Sequence, residues 1–320
     1  MDVLVIGGTR FVGRHAVEEF LDAGHEVTLF NRGEHDNPFD LPRVEGDRTN
    51  DSAVEAAAAE RDPDVVVDCV AYHPREVETA TRAFADARYV YVSSGAAYAA
   101  DEIPKREDTT DIYRWPPREM EEASYGERKA GGDRAVFAAA ERGVEAMSVR
   151  PTVVYGPHDY TERLDYWIAR VRDHDRVVVP GDGMNLWHRV YVEDLAAAIR
   201  LVAEEGAAGE AYNAGDRQLL TLEETVELLA EIAGTEVEAV PANERELSAG
   251  DLSPGEFPLY RPYPHVLDTA KLAALGWEST PVEEALARTV ADHRDSGRDG
   301  AEHDPGREAE ERVLGVLETV

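Results

Sequence analysis

"VLVIGGTRFVGRH", residues 3–15, reads as a strand that runs through a glycine-rich turn into a helix. Val3, Leu4, Val5 and Ile6 form a continuous apolar run of strand length. Val12, Ala16, Val17, Phe20 and Leu21 then follow helical spacing until Gly24 stops the helix. Gly7, Gly8 and Gly13 lie where the strand gives way to the helix. A turn there aims backbone N–H groups and the helix N-terminus at an anion, and glycine lets a pyrophosphate come close. The run Gly7, Gly8, Thr9, Arg10, Phe11, Val12, Gly13 is the candidate phosphate cradle, with Arg10 at the middle position of a G-x-x-G-x-x-G spacing.

Outward from this turn, short β-branched runs alternate with amphipathic stretches: "VTLF" (27–30), "VVVDCV" (65–70), "YVYVSS" (89–94) and "AMSVRP" (146–151). That rhythm predicts an α/β fold, a doubly wound parallel sheet of the Rossmann type with helices on both faces. "RVYVEDLAAAIRLVAEE" and "EAYNAG" are expected to return a strand, a helix and a strand to the same sheet. Residues 1–155 plus 188–214 then make a dinucleotide-binding domain, and residues 156–187 plus 215–320 a smaller C-terminal substrate lobe and tail. Pro157, Pro180, Gly181 and Gly183 break the rhythm; 241–264 reads as proline-rich loop, and the tail as a solvated loop before a short helix.

At 320 residues and 43% hydrophobic content the chain can bury a large core. No apolar run reaches the ~18 residues of a membrane span, and the N-terminus shows no basic leader, so a soluble cytoplasmic protein is expected. The one cysteine, Cys69, lies in an apolar run, which excludes an intramolecular disulfide and reads as a buried structural thiol. A formal net charge of -33 opposes nucleic acid and anionic lipid as partners. Acid excess along the whole chain, with lysine only at Lys105, Lys129 and Lys271, resembles the surface of an extreme halophile's protein. In such salt the Debye length falls to about 3 Å, so the charge reports habitat more than partner.

The end of the second strand bears on cofactor choice. An acid there would bind the ribose hydroxyls of NAD, whereas Asn31-Arg32 suits the 2′-phosphate of NADP, which is favoured. Arg10 adds a second charge or is solvated surface, and Asp47 in "GDRTN" either meets the adenine edge or caps its loop. Within "SYGERKAGGD", residues 124–133, Tyr125 and Lys129 are spaced i, i+4 and share one helix face. An ammonium beside a phenol favours the phenolate and brings a group that titrates near 10 toward working pH. Ser94, at the end of "YVSS", faces the crevice of an open parallel sheet and is placed to hold a substrate oxygen.

With "GGTRFVG", "VYVSSGAAY", "YGERK", "RPTVVYGP", "VYVEDLA", "YNAG" and "LGWESTPVEEAL" in that order, the chain resembles the extended short-chain dehydrogenases/reductases, the NAD-dependent epimerase/dehydratase family. The similarity spans nearly the whole length and looks closest to a "GGTRF" branch that includes chloroplast stem-loop RNA-binding proteins. It implies that Ser94 orients substrate, Tyr125 moves a proton and Lys129 binds the nicotinamide ribose. Pro151 then lies near the nicotinamide, and Ala71 joins the cofactor contacts. The activity implied is hydride transfer on a sugar-like hydroxyl or ketone, an NAD(P)-dependent epimerase or reductase acting as a homodimer. The alternative is a nucleotide-binding RNA-binding or scaffold protein on the same fold. Gly95-Ala96, where 4,6-dehydratases carry Asp-Glu, disfavours a dehydratase, and Trp187, where nucleotide-sugar epimerases carry arginine, weakens a UDP-sugar assignment. Trp167 and Trp187 read as core aromatics, and His158, Asp159 and His188 match no metal motif, so no metal is expected.

Overall fold

The computed structural model describes residues 1–114 and 122–318, which fall into two compact units. The first comprises Met1–Val154, Val192–Gly215 and Leu267–Ser279, and the second Tyr155–Tyr191, Asp216–Val266 and Thr280–Val320.

The first unit is built on β1 (Asp2–Ile6), β2 (Glu26–Asn31), β3 (Arg43–Glu45), β4 (Val65–Asp68), β5 (Arg88–Val92) and β6 (Ala146–Pro151). Together with the strand Ala211–Ala214 they form one seven-stranded sheet, in the order Ala211–Ala214, β6, β5, β4, β1, β2, β3. All its pairings are parallel. Helices α1 (Phe11–Asp22), α2 (Asp51–Glu60), α3 (Pro74–Ala83) and α4 (Tyr125–Glu141) make the crossovers. Two groups of helices cover the sheet: α2, α3 and α4 pack in a row, and α1 packs with the helix Val192–Glu205. Cover on both faces explains why β1 and β4 read as unbroken apolar runs: Val3 to Ile6 and Val65 to Val67 have no exposed surface. The expected doubly wound parallel sheet is present.

From β1 the chain steps outward through β2 and β3, then returns to β4 on the other side of β1. The loops after β1 and β4 therefore diverge, and a crevice opens between them at the carboxyl ends of the strands. The Gly7–Gly13 turn follows β1 there, and residues 69–72 follow β4.

Three expectations need correcting. The strand Arg189–Tyr191 does not join the seven-stranded sheet; of the predicted pair only Ala211–Ala214 does. Asp216 Oδ1 accepts the Tyr191 N–H at 2.9 Å, taking a donor that a main-sheet neighbour would need. The segment 241–264 is more ordered than its prolines suggest. Glu238–Ala242 pairs in parallel with Arg176–Pro180, and Glu244–Leu247 is a helix capped by Asn243. The tail is not simply solvated either. Helix Arg307–Leu317 buries Val313, Leu314 and Glu310, whose carboxylate accepts from Tyr166 Oη at 3.1 Å and Arg170 Nε at 2.8 Å. Trp167 is a core residue of the second unit, its indole N–H donating to the Pro258 carbonyl at 3.0 Å. Among the described residues no helix is long and apolar enough to cross a membrane.

Candidate active site

At the turn after β1 the backbone does the work. Gly7 and Gly8 take φ of +108° and +89°, a region that side chains rarely adopt. A Cβ on Gly8 would lie 2.7 Å from Leu29 Cδ2, and one on Gly13 would lie 2.7 Å from the Gly8 nitrogen. So α1 rests directly on the loop it follows, a contact that only glycine permits. Arg10, the N-cap of α1, is extended at φ -132° and needs no glycine; it is exposed, and its side chain does not cap the helix. Within α1 the first amide to reach a helical carbonyl is Arg14, bonded to Arg10 O at 3.1 Å. The first-turn amides thus keep the orientation that suits an anion. Phe11 is buried, while Thr9 and Val12 are half-buried beside it.

Asn31 braces this turn. Its amide donates to the Gly7 carbonyl at 3.2 Å and accepts from the Gly33 N–H at 2.9 Å. Arg32 pairs with Glu34 at 2.8 Å with both side chains more than half exposed, a pair of ~0–1 kcal/mol that a competing anion can displace. Asp47 caps its loop: Oδ1 accepts from the Thr49 N–H at 2.9 Å and the Thr49 hydroxyl at 2.8 Å. Those bonds hold its carboxyl below the usual aspartate range.

The helix α4 starts where "SYGE" says it should. Ser124 Oγ accepts from the Glu127 N–H at 3.3 Å, and Glu127 Oε2 accepts from the Ser124 N–H at 2.8 Å, a reciprocal capping box. Tyr125 is therefore the first helical residue and is 45% exposed, whereas Lys129, one turn later, is 3% exposed. A Cβ on Gly126 would lie 2.3 Å from the Ala96 carbonyl oxygen, so α4 touches the short turn Gly95–Ala97 backbone to backbone. Ser94 opens that turn and accepts the Ala96 N–H at 3.1 Å. Pro151 ends β6, buried and paired with Ala214.

Lys129 Nζ donates to the carbonyls of Ala71 at 3.0 Å and Val92 at 2.8 Å. Rings surround it: Tyr91, Tyr72 and Tyr125 have centroids 4.9, 5.1 and 5.9 Å from Nζ. Burial pulls its ammonium down to about 8, against the fields of Asp133, Cys69 and Glu76, which favour the charge. Burial pushes the neighbouring Cys69 thiol up to about 12, although by surface the residue is half-buried where a buried thiol was expected. The structure thus brings Tyr125 and Lys129 together and packs their helix onto the turn of Ser94. Among the described residues no cluster suits a metal ion. His188 is buried against the Asp216 carbonyl at 2.8 Å, and burial lowers it to about 4.

The sequence reading missed the polar core behind the site. Arg150 Nε donates to Asp133 Oδ2 at 2.9 Å and its Nη1 to Tyr98 Oη at 2.9 Å; Tyr98 Oη donates to Asn213 Oδ1 at 2.8 Å. Asp133 is i+4 from Lys129 and Arg150 directly precedes Pro151, so helical spacing and adjacency were available as signals. Under β4, Asp68 is ion-paired with Arg48 and accepts from Tyr89 Oη at 2.7 Å; an aspartate inside "VVVDCV" was the clue.

Residues 3–215 match the model of the NAD dependent epimerase/dehydratase family. The chain belongs to this family. It is 30% identical over 310 residues to the low-salt glycan biosynthesis protein Agl12 of Haloferax volcanii, covering 87% of this chain and 93% of that one. It is 26% identical over 266 residues to the chloroplast stem-loop binding protein of 41 kDa b of Arabidopsis thaliana, covering 78% and 68% of the two. In fold it is similar to a dTDP-glucose 4,6-dehydratase of Bacillus anthracis solved with NAD, at a TM-score of 0.74 and 20% identity over 95% of this chain and all of the other. Within this family of NAD-dependent epimerases and dehydratases the chain keeps two departures. Gly95-Ala96 follow Ser94, and Trp187 stands where the resemblance implies an arginine. The nearby Arg189 is buried, donating to the Leu220 carbonyl at 3.2 Å and Thr225 Oγ1 at 2.6 Å, so it belongs to the interior of the second unit.

Proposed function

We propose that the protein is a nicotinamide-dependent oxidoreductase or epimerase of a sugar-like alcohol or ketone. Tyr125 is its acid and base, Lys129 the electrostatic support and Ser94 the hydroxyl that orients the substrate oxygen. The observation that carries this reading is the buried Lys129 ammonium beside the exposed Tyr125 ring, on a helix that Gly126 docks against the Ser94 turn. In the oxidative direction Tyr125 Oη accepts the proton of the substrate hydroxyl, and the positive charge of Lys129 stabilises the phenolate that begins the cycle. In the reductive direction Tyr125 returns that proton to the carbonyl oxygen, held meanwhile by Ser94 Oγ.

The cradle fits a dinucleotide: side chains are excluded at Gly8 and Gly13, and no side chain caps α1. Gly7 to Gly13 would hold the pyrophosphate and Asp47 the adenine side, with Lys129 at the nicotinamide ribose and Ala71 and Pro151 beside the ring. The nicotinamide supplies the hydride acceptor or donor. NADP is preferred, because β2 ends without an acid: Asn31 is committed to the loop, which leaves Arg32, in a weak surface pair, for the 2′-phosphate. Relatives named for glycan biosynthesis and dTDP-glucose dehydration support a nucleotide-linked or free sugar as substrate. The net charge of -33 supports a halophilic habitat, and in the salt of such a habitat it is screened and opposes RNA only weakly.

The test is titration of the protein with NAD and NADP in molar KCl, followed by turnover of a panel of nucleotide sugars and free sugars by parent and Tyr125→Phe. Dinucleotide binding unchanged in the variant, with kcat lower by about 10²–10⁴-fold, is expected. Parental turnover in Tyr125→Phe would sink the assignment. Filter binding of a stem-loop RNA should give no retention, and sedimentation should give a homodimer.

A further inference from the structure

Asp133 has no exposed surface, yet only one of its carboxylate oxygens is hydrogen-bonded: Oδ2 accepts from Arg150, while Oδ1 has no hydrogen-bond partner. A buried polar atom left unpaired costs ~1–3 kcal/mol, and a buried ion pair is often no more stable than well-packed apolar residues of similar size. Stability therefore gives no reason to keep a carboxylate here. Its place does: it lies one helical turn beyond Lys129, on the face of α4 that is buried with it.

The ionisable groups around Lys129 come from five parts of the unit. They are Tyr125 and Asp133 on α4, Tyr91 on β5, Cys69 and Tyr72 after β4, Glu76 on α3, and Arg48 after β3. Burial is the largest influence on the ammonium and disfavours it; among the groups that favour it Asp133 comes first, and Arg48 opposes it. Arg150 holds Asp133 in place. Through Tyr98, four residues past Ser94, the same guanidinium also grips the chain that leaves the Ser94 turn.

We propose that Asp133 is the counter-charge that keeps the buried Lys129 an ammonium, and that Arg150 is the positioning residue that locks α4 in register with the Ser94 turn. The inference rests on the acid–base reading of Tyr125 and Lys129 for its functional meaning, but its test does not. Because the chain has three lysines, protein labelled with carbon-13 at the lysine Cε gives three resonances, and Lys129 is assigned by its loss in Lys129→Met. The whole chain, free of substrate, is titrated in molar KCl as parent, as Asp133→Asn and as the doubly neutral Asp133→Asn/Arg150→Gln, which leaves no unpaired guanidinium if the single variant fails to fold. In whichever variant keeps the Lys105 and Lys271 resonances in place, the Lys129 midpoint should fall by about one pH unit or more. A midpoint equal to the parent's overturns the proposal. For Arg150, Tyr98→Phe should lower kcat at unchanged KM and leave the Lys129 midpoint alone; unchanged kcat overturns the positioning role. Turnover of Tyr125→Phe judges the acid–base reading separately.

Discussion

At the turn after β1 the working atoms are backbone, and the design consists of side chains kept out: Gly8 meets Leu29 and Gly13 meets the loop itself. At the start of α4 the working atoms are charged and phenolic groups, and the design consists of partners brought in from distant parts of the chain, the Ala71 and Val92 carbonyls meeting one ammonium that has Asp133 one helical turn beyond it. The first region is a problem of packing, settled within the first strand, helix and strand. The second is a problem of electrostatics, settled only by the sheet order that sets the loop after β4 beside β5 and α4.

The contrast can be broken most sharply at Arg150. Arg150→Met removes the hydrogen-bonded ion-pair partner of the buried Asp133 carboxylate and should destabilise the protein by ~3–5 kcal/mol in denaturant unfolding, while Asp133→Asn/Arg150→Gln should come much closer to the parent. A single variant as stable as the parent would mean that the charges at α4 are not under electrostatic control. Next is the cradle. Gly13→Ala forces a Cβ against the Gly8 backbone and should cost ~1–3 kcal/mol and weaken dinucleotide binding, read by melting and titration. Unchanged binding would show that the close approach of α1 is not needed.

A smaller effect separates Lys129 from its surroundings. Burial depresses its folded value to about 8, so between pH 8 and the unfolded value near 10.5 the unfolded chain binds more protons than the folded one. The penalty for the buried ammonium is present below pH 8 and relieved as pH rises through that window. Relative to Lys129→Met, the parent should gain stability by up to about 1.4 kcal/mol per pH unit there; parallel curves would contradict the burial of the charge. The smallest effect is expected at Arg32→Ala, within about 0.5 kcal/mol in stability but with the preference for NADP over NAD reduced in titration.

What the sequence made legible follows the same division. Glycines, strand runs and the "SYGE" cap are local, and each could be read where it stands. Arg189–Tyr191 was misplaced because the group that takes its Tyr191 N–H is the side chain of Asp216, twenty-five residues on. The three lysines share one use. Lys105 donates to the Ala100 and Glu102 carbonyls at 2.6 and 3.0 Å, and Lys271 to the Ala211 carbonyl at 2.8 Å. All three lysines of an arginine-rich chain thus serve backbone carbonyls, as several arginines do, Arg88 and Arg134 among them. Burial beside Tyr125 sets Lys129 apart from the other two.

The central claim is that Tyr125, Lys129 and Ser94 face a nicotinamide seated by the glycine turn, and a crystal structure of the protein grown with NADP in molar salt tests it most directly. The account predicts pyrophosphate density against the amides that open α1 and a nicotinamide ribose within hydrogen-bonding reach of Lys129 Nζ. Density for the dinucleotide elsewhere, or a ring turned away from Tyr125, would contradict it.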